Sequence, residues 1–76
     1  MPALPDHLTP DQWLTQVLGA EEARRGGVLK RQVRDVERLV GRAAFVAELE
    51  RRRFQAVENA RHFVIFCNRL PIRRVV

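Results

Sequence analysis

The stretch Phe63-Val64-Ile65-Phe66-Cys67 is the longest apolar run in this chain of 76 residues. A strand that is apolar at every position is usually central in its sheet or lies at an interface, because both of its faces avoid water. The run is far shorter than the roughly 20 apolar residues that cross a bilayer. It therefore predicts the central strand of a small sheet and no membrane-spanning segment.

A hairpin joins this run to the strand before it. Residues 55–58 read Gln-Ala-Val-Glu, and Asn59-Ala60-Arg61-His62 separates them from the apolar run. Asparagine tolerates the left-handed backbone conformation that tight turns need. We therefore expect a β-hairpin with its loop over residues 59–62.

A third strand follows the double glycine Gly26-Gly27. Residues 28–33 form a short segment with valine at both ends, and a short β-branched segment after a turn signal is typical of a strand. Together with the hairpin, it predicts a three-stranded antiparallel sheet at 28–33, 55–58 and 63–67. We expect the last of these strands to be central.

The first helix begins at Thr9-Pro10-Asp11-Gln12. Threonine can cap the helix, proline suits its first position, and glutamine completes a capping box. The apolar stripe that follows consists of Trp13, Leu14, Val17 and Leu18. We expect this helix to pass Gly19, which weakens it, and to end before the double glycine.

The segment 35–54 carries two apolar stripes, with Asp35 as a cap at its start. The second stripe, Phe45, Val46 and Leu49, lies about half a turn round from Val36 and Val40. One straight helix cannot aim both stripes at one core. Either a helix over 35–40 turns at Gly41 into a second helix over 42–53, or one long helix makes apolar contacts on two sides. We favour the first interpretation.

These elements predict a small α+β domain that occupies residues 1–76, with an ordered core over about 9–69 and a short tail at each end. The element order is helix, strand, helix, turn, helix and two strands. This order resembles that of a winged helix-turn-helix domain, in which the last strand is also central. The likeness is one of topology, and it assigns no functional residues.

The charge is unevenly distributed along the chain. The net charge is +5, but residues 1–22 carry −4 and residues 23–76 carry +9. A basic body attracts polyanions and speeds association with them. All but one of the basic residues are arginine, and a GC-rich coding sequence can cause such a bias without any role in binding. We favour a non-enzymatic domain that contacts nucleic acid, largely through its phosphates.

The candidate contacts with nucleic acid fall in four places. Three arginines follow one another at a spacing of four residues, two basic residues lie in the predicted hairpin loop, and the others lie on the first strand and on the last helix. Helical spacing puts residues four apart on one side. The candidates are Arg31, Arg34, Arg38, Arg42, Arg51, Arg61 and His62.

The alternative is a domain that binds a protein partner or a second copy of itself. Its candidate interface residues are Val64, Phe66 and Ile72, because the apolar strand has two apolar faces and the C-terminal tail adds another apolar side chain. We also expect Phe66→Ala to be among the most damaging single changes, with a cost on the order of 3 to 5 kcal/mol if the ring is fully buried.

No constellation for catalysis stands out. The single cysteine, Cys67, ends an apolar strand and is best interpreted as a small buried hydrophobe, and neither histidine has the spacing of a metal site. We therefore expect no catalytic residue, metal, cofactor or small-molecule substrate. Residues 1–6 have no basic residue before an apolar stretch, which predicts no signal peptide and a cytoplasmic protein.

Overall fold

The computed structural model describes residues 9–76. The predicted N-terminal tail, residues 1–8, lies outside the described residues. In chain order the elements are α1 (Pro10–Leu18), α2 (Glu21–Arg24), β1 (Val28–Gln32), α3 (Val33–Leu39), α4 (Arg42–Arg52), β2 (Gln55–Asn59) and β3 (His62–Phe66). The α+β class and the element order are confirmed.

The three strands form one antiparallel sheet in the order β1-β3-β2. The register pairs Leu29 with Ile65 across one side of β3 and Ala56 with Ile65 across the other. The apolar run therefore supplies the central strand, as predicted from its two apolar faces. Strand β3 begins at His62 and ends at Phe66, one residue earlier at each end than expected.

The first predicted helix is two helices. Thr9 caps α1 through a reciprocal capping box with Gln12. The chain then breaks at Gly19, whose φ of −103° is not helical, and restarts as the single turn of α2. That turn ends where predicted, because Gly26 adopts a φ of +75° that suits glycine.

The predicted turn between the two later helices is confirmed. The amides of Val40 and Gly41 both donate to the carbonyl oxygen of Val36 at 2.9 Å, which closes α3. Gly41 has φ 97° and ψ 142°, so the next residue starts α4 in a new direction. Helix α3 begins at Val33 rather than at 35, and Asp35 lies inside its first turn instead of capping it.

The hairpin loop is shorter than predicted. It contains only Ala60 and Arg61, because Asn59 and His62 pair with each other as strand residues. The left-handed conformation falls on Ala60, with φ 54°, and not on Asn59. A two-residue loop with a positive φ matches the twist of the two strands that it joins.

The hydrophobic core lies between the helices and one face of the sheet, which we call the inner sheet face. Two aromatic rings meet there, Phe45 of α4 and Phe63 of β3, with centroids 4.9 Å apart. The core side chains are Leu14, Val17, Leu18, Ala23, Leu29, Val36, Phe45, Leu49, Phe63, Ile65 and Cys67.

Two expectations about the core are corrected. Phe66 is only half-buried, because its side chain points to the face of β3 opposite Ile65. Val46 is 42% exposed, so α4 packs through Phe45 and Leu49 alone of the predicted stripe. Trp13 is half-buried and packs against the core cluster, as its place on the apolar stripe of the first helix predicts. Among residues 9–76, no helix has the length and apolar character needed to cross a membrane.

Candidate nucleic-acid interface

A groove opens at the end of the sheet where the hairpin turns. Its volume is about 920 Å³, and it lies between the hairpin loop and the start of α3. We call it the tip groove. Its lining residues are Gln32, Val33, Arg34, Glu37, Arg38, Ala60, Arg61 and His62. Four of the seven predicted nucleic-acid contacts therefore lie together.

Two segments that are distant in sequence are held together at this groove. The backbone amide of Val33 donates to the carbonyl oxygen of Arg61 at 2.8 Å, and Gln32 pairs with His62 in the sheet. The hairpin loop is thereby fixed against the first turn of α3. Arg34 and Arg38 follow on that helix at i and i+4, so they share one side of it.

The arginines of the tip groove are free cations. Within residues 9–76, Arg34, Arg38 and Arg61 form no ion pair, whereas Arg25, Arg42, Arg51 and Arg52 each pair with a glutamate. All three free arginines are exposed, and His62 beside them is half-buried. Three unpaired guanidinium groups around one groove create a local positive potential.

The single acid of the tip groove is already paired. The carboxylate of Glu37 lies 3.6 Å from the guanidinium of Arg42. Arg42 also donates to Glu58 of β2 and covers the ring of Phe63, 5.2 Å from its centroid. The hydrogen bond to Glu58 raises the pKa of Arg42. Arg42 therefore braces α3 and α4 against β2, and the structure does not bring it into the groove with Arg34 and Arg38.

Arg51 also lies outside the tip groove, where it binds a glutamate of its own helix. It donates from Nε to Glu48 at 3.0 Å, and the next residue, Arg52, donates to the same carboxylate at 2.7 Å. The hydrogen bonds from Arg51 and then Arg52 lower the pKa of Glu48 to about 2. Both arginines lie in the last turn of α4 and neutralise Glu48.

The exposed side of α4 carries mostly small side chains, and its two exposed arginines are the ones that glutamates already bind. Its exposed residues include Ala43, Ala44, Val46, Ala47 and Glu50. Reading a base sequence in a major groove needs side chains that donate to or accept from base edges, and alanine and valine offer none. This side of α4 therefore does not have the character of a recognition surface.

Arg31 lies on β1, away from the tip groove. It pairs in register with Phe63, and its guanidinium donates to the carbonyl oxygen of the neighbouring Lys30 at 2.7 Å. This bond holds the side chain along its own strand. Arg31 is half-buried, unlike the exposed arginines of the groove.

The second face of the sheet, which we call the outer sheet face, carries the predicted interface residues Val64 and Phe66. Its side chains do not belong to the core cluster. The face consists of Val28, Lys30, Gln32, Gln55, Val57, Asn59, His62, Val64 and Phe66. Ile72, the third interface candidate, lies beyond β3 in a segment without helix or strand and is 44% exposed.

A second and smaller cleft, of about 260 Å³, lies at the opposite end of the sheet. We call it the base cleft, and it is lined by Arg52, Arg53, Phe54, Cys67, Asn68 and Arg69. Burial raises the pKa of the Cys67 thiol, and the nearby Glu22 raises it further. The thiol is therefore held in its neutral form, which suits a structural cysteine. Residues 9–76 contain no cluster of three metal-ligating side chains.

Gln32, Glu37 and Lys30 were missed by the reasoning from sequence. Gln32 and Glu37 line the tip groove, and Lys30 shares the outer sheet face with Val64. The period of two along a strand could have placed Lys30 and Gln32 on one face. The register that sets Gln32 opposite His62 could not be read from local patterns.

The chain matches no protein-family model, no curated protein and no solved structure.

Proposed function

We propose that this protein is a non-enzymatic nucleic-acid-binding domain that holds phosphates in the tip groove. The observation that supports the proposal is the convergence of Arg34, Arg38 and Arg61, unpaired and exposed, around one groove. A guanidinium presents a planar fork of donors that matches the oxygens of a phosphate. Three such groups suit a ligand with several phosphates in a row.

The hairpin gives this site its rigidity. Arg61 lies on a two-residue loop, and its carbonyl oxygen accepts from the amide of the first residue of α3, so the backbone at Arg61 is held against the helix that carries Arg34. Pre-positioned groups lose less conformational entropy on binding. The proposed binding mode relies on the groove and the hairpin, and it does not use the neutral face of α4.

The element order and the β1-β3-β2 strand order are those expected for a winged-helix-like arrangement, which adds support for a nucleic-acid partner. The chemistry of the groove favours contact with the phosphate backbone over reading of base edges. We therefore expect binding with little dependence on sequence and a steep dependence on salt.

The test is a titration of labelled random-sequence oligonucleotides at several salt concentrations. Each phosphate neutralised contributes about −0.9 to the slope of log K against log salt on a duplex and about −0.7 on a single strand. Replacing Arg34, Arg38 and Arg61 together by Gln should flatten the slope by roughly two to three units.

The matched control removes three positive charges from arginines outside the tip groove. Arg24, Arg53 and Arg69 also form no ion pair within residues 9–76, and two of them line the base cleft. Their triple replacement by Gln should change the slope by less than about one unit. Equal effects of the two triples, or no binding by the unmodified protein at low salt, would refute the proposal.

The exposed valines of the outer sheet face favour a second candidate function, which is binding of a protein partner or a second copy. Val28 and Val57 on the outer sheet face are 49% and 39% exposed, and they flank the half-buried Val64 and Phe66. Exposed apolar side chains that adjoin one another mark interaction sites. Light scattering across a range of protein concentrations tests self-association directly.

A further inference from the structure

We propose that the outer sheet face binds the bases of a single-stranded nucleic acid whose phosphates lie in the tip groove. The inference rests on the proposed function and names the form of nucleic acid. The face and the groove are continuous, because Gln32 and His62 belong to both. A strand that leaves the groove along β3 meets His62, then Val64, then Phe66.

The composition of the outer sheet face suits unpaired bases. Phe66 and His62 offer ring faces on which bases can stack, while Gln32 and Asn59 offer amides that both donate and accept. The amide of Gln55 already donates to the carbonyl oxygens of Asn68 and Leu70. Lys30 adds a positive charge in the middle of the face. None of the nine side chains of the outer sheet face is acidic, so the face does not repel phosphate.

The geometry favours a single strand over a duplex. A major groove admits an α-helix or a two-stranded ribbon. Here the exposed arginines of α4, Arg42 and Arg51, are already bound by glutamates, and the sheet face is three strands wide. A duplex hides the faces of its bases inside the stack. A single strand can unstack its bases onto an open sheet, and β3 provides about 16 Å of length for this.

The position of Phe66 agrees with such a role. The ring is half-buried between its register partners Val28 and Gln55 and stays out of the core cluster, to which its neighbours Ile65 and Cys67 belong. An aromatic side chain that does not fill the core but is held in place by its neighbours can serve as a stacking platform. No phenylalanine lines the tip groove itself.

The experiment compares a labelled 12-nucleotide oligo(dT) with a random 12-base-pair duplex, using fluorescence anisotropy at the same salt concentration. The unmodified protein should bind the single strand at least tenfold more tightly. Phe66→Leu, which keeps an apolar side chain but removes the ring, should weaken single-strand binding about tenfold and leave duplex binding unchanged. Circular dichroism checks that the variant is folded.

The control is Phe54→Leu, the same substitution at a half-buried phenylalanine in the base cleft. It should leave both affinities unchanged. This inference is wrong if the duplex binds as tightly as the single strand and Phe66→Leu has no effect. The proposed function still stands in that case, provided that replacing Arg34, Arg38 and Arg61 by Gln flattens the slope of log K against log salt. If neither oligonucleotide binds, both fail. A dimer in light scattering that Phe66→Leu dissociates would assign the face to a second copy and overturn the inference.

Discussion

The backbone amide of Val33 and the carbonyl oxygen of Arg61 form a 2.8 Å hydrogen bond that joins the start of α3 to the hairpin loop. The bond brings two short basic segments, separated by more than 20 residues, to one groove. The register pairs Gln32 with His62, so Val33 and Arg61 are the next pair along, and this bond continues the β1–β3 pairing into the first residue of α3.

Replacing Val33 by proline tests this link. Proline is favoured at the first position of a helix, and Gln32, with φ −71° and ψ 133°, has the conformation that a residue before proline requires. The change therefore removes the amide donor while α3 can still form. We expect a loss of about 1 kcal/mol relative to Val33→Ala, measured by urea unfolding, and weaker oligonucleotide binding.

Val33→Ala is the matched control, because it removes the same side chain but keeps the amide. If the proline and alanine variants bind an oligonucleotide equally well, the hydrogen bond does not position Arg61 for binding.

Gly41→Ala should destabilise the domain by about 1 to 3 kcal/mol. The reason is the backbone, because a Cβ at this position would meet no atom within 4 Å, while the φ of 97° is one that L residues rarely adopt. At Gly27 the backbone is not in the left-handed region, and the three atoms nearest to an added Cβ all belong to the flexible side chain of Glu22. Gly27→Ala should therefore cost less than Gly41→Ala, and the opposite order in denaturant unfolding would contradict this account.

Arg53→Gly should stabilise the domain by about 0.5 to 1 kcal/mol. Arg53 ends α4 in the left-handed conformation, with φ 61° and ψ 35°. The amide of the next residue, Phe54, bonds back to Leu49 at 2.9 Å, an ending that glycine forms without steric cost. Arg53→Ala removes the same charge but keeps the Cβ, so its melting temperature should stay below that of the glycine variant.

Adjacent residues of β3 should differ sharply in their contribution to stability. Ile65 is fully buried on the inner sheet face, so Ile65→Ala should cost about 2 to 5 kcal/mol. Val64 is half-buried on the outer sheet face, and Val64→Ala should cost about 1 kcal/mol or less. Equal losses in urea unfolding would mean that the outer sheet face is covered.

Glu48 should make stability depend on pH in the acid range. Its pKa falls from 4.5 to about 2 in the folded protein because Arg51 and Arg52 donate to it. A lowered pKa means that the stabilisation is present above 4.5 and is lost as the pH falls through 2. Glu48→Gln should cost about 1 kcal/mol at pH 7, and this difference from the unmodified protein should vanish near pH 2.

Glu50→Gln is the control for this prediction, because Glu50 forms no ion pair within residues 9–76. A Glu48 effect that persists unchanged at pH 2 would show that the carboxylate stabilises α4 by some means other than its charge.

Much of the fold could be predicted from local patterns. The apolar run at 63–67 indicated the central strand, and the half-turn shift between Val40 and Phe45 indicated the turn at Gly41. The side of β3 that enters the core could not be predicted, because both of its faces are apolar. The helix over 10–25 was predicted too long, since the effect of one glycine on a helix depends on what packs around it.

The candidate site was predicted only in part, because local patterns do not show which distant segments come together. Arg34 and Arg38 follow from helical spacing, but their approach to Arg61 depends on the strand register. Arg42 has the same four-residue spacing and the same charge as Arg34 and Arg38. Only the folded chain shows that Glu58, 16 residues away, engages it, whereas the Glu48–Arg51 pair has the i, i+3 spacing that a helix brings together.

The most direct test of the central claim is a titration of the ¹⁵N-labelled protein with an unlabelled oligonucleotide at low salt, followed through the backbone amide signals. If the tip groove holds phosphates, the largest shifts fall on residues 33–38 and 60–62, and added salt reverses them. Shifts confined to residues 52–54 and 67–69, or to the exposed side of α4, would contradict this claim. Unchanged spectra at low salt would contradict it as well.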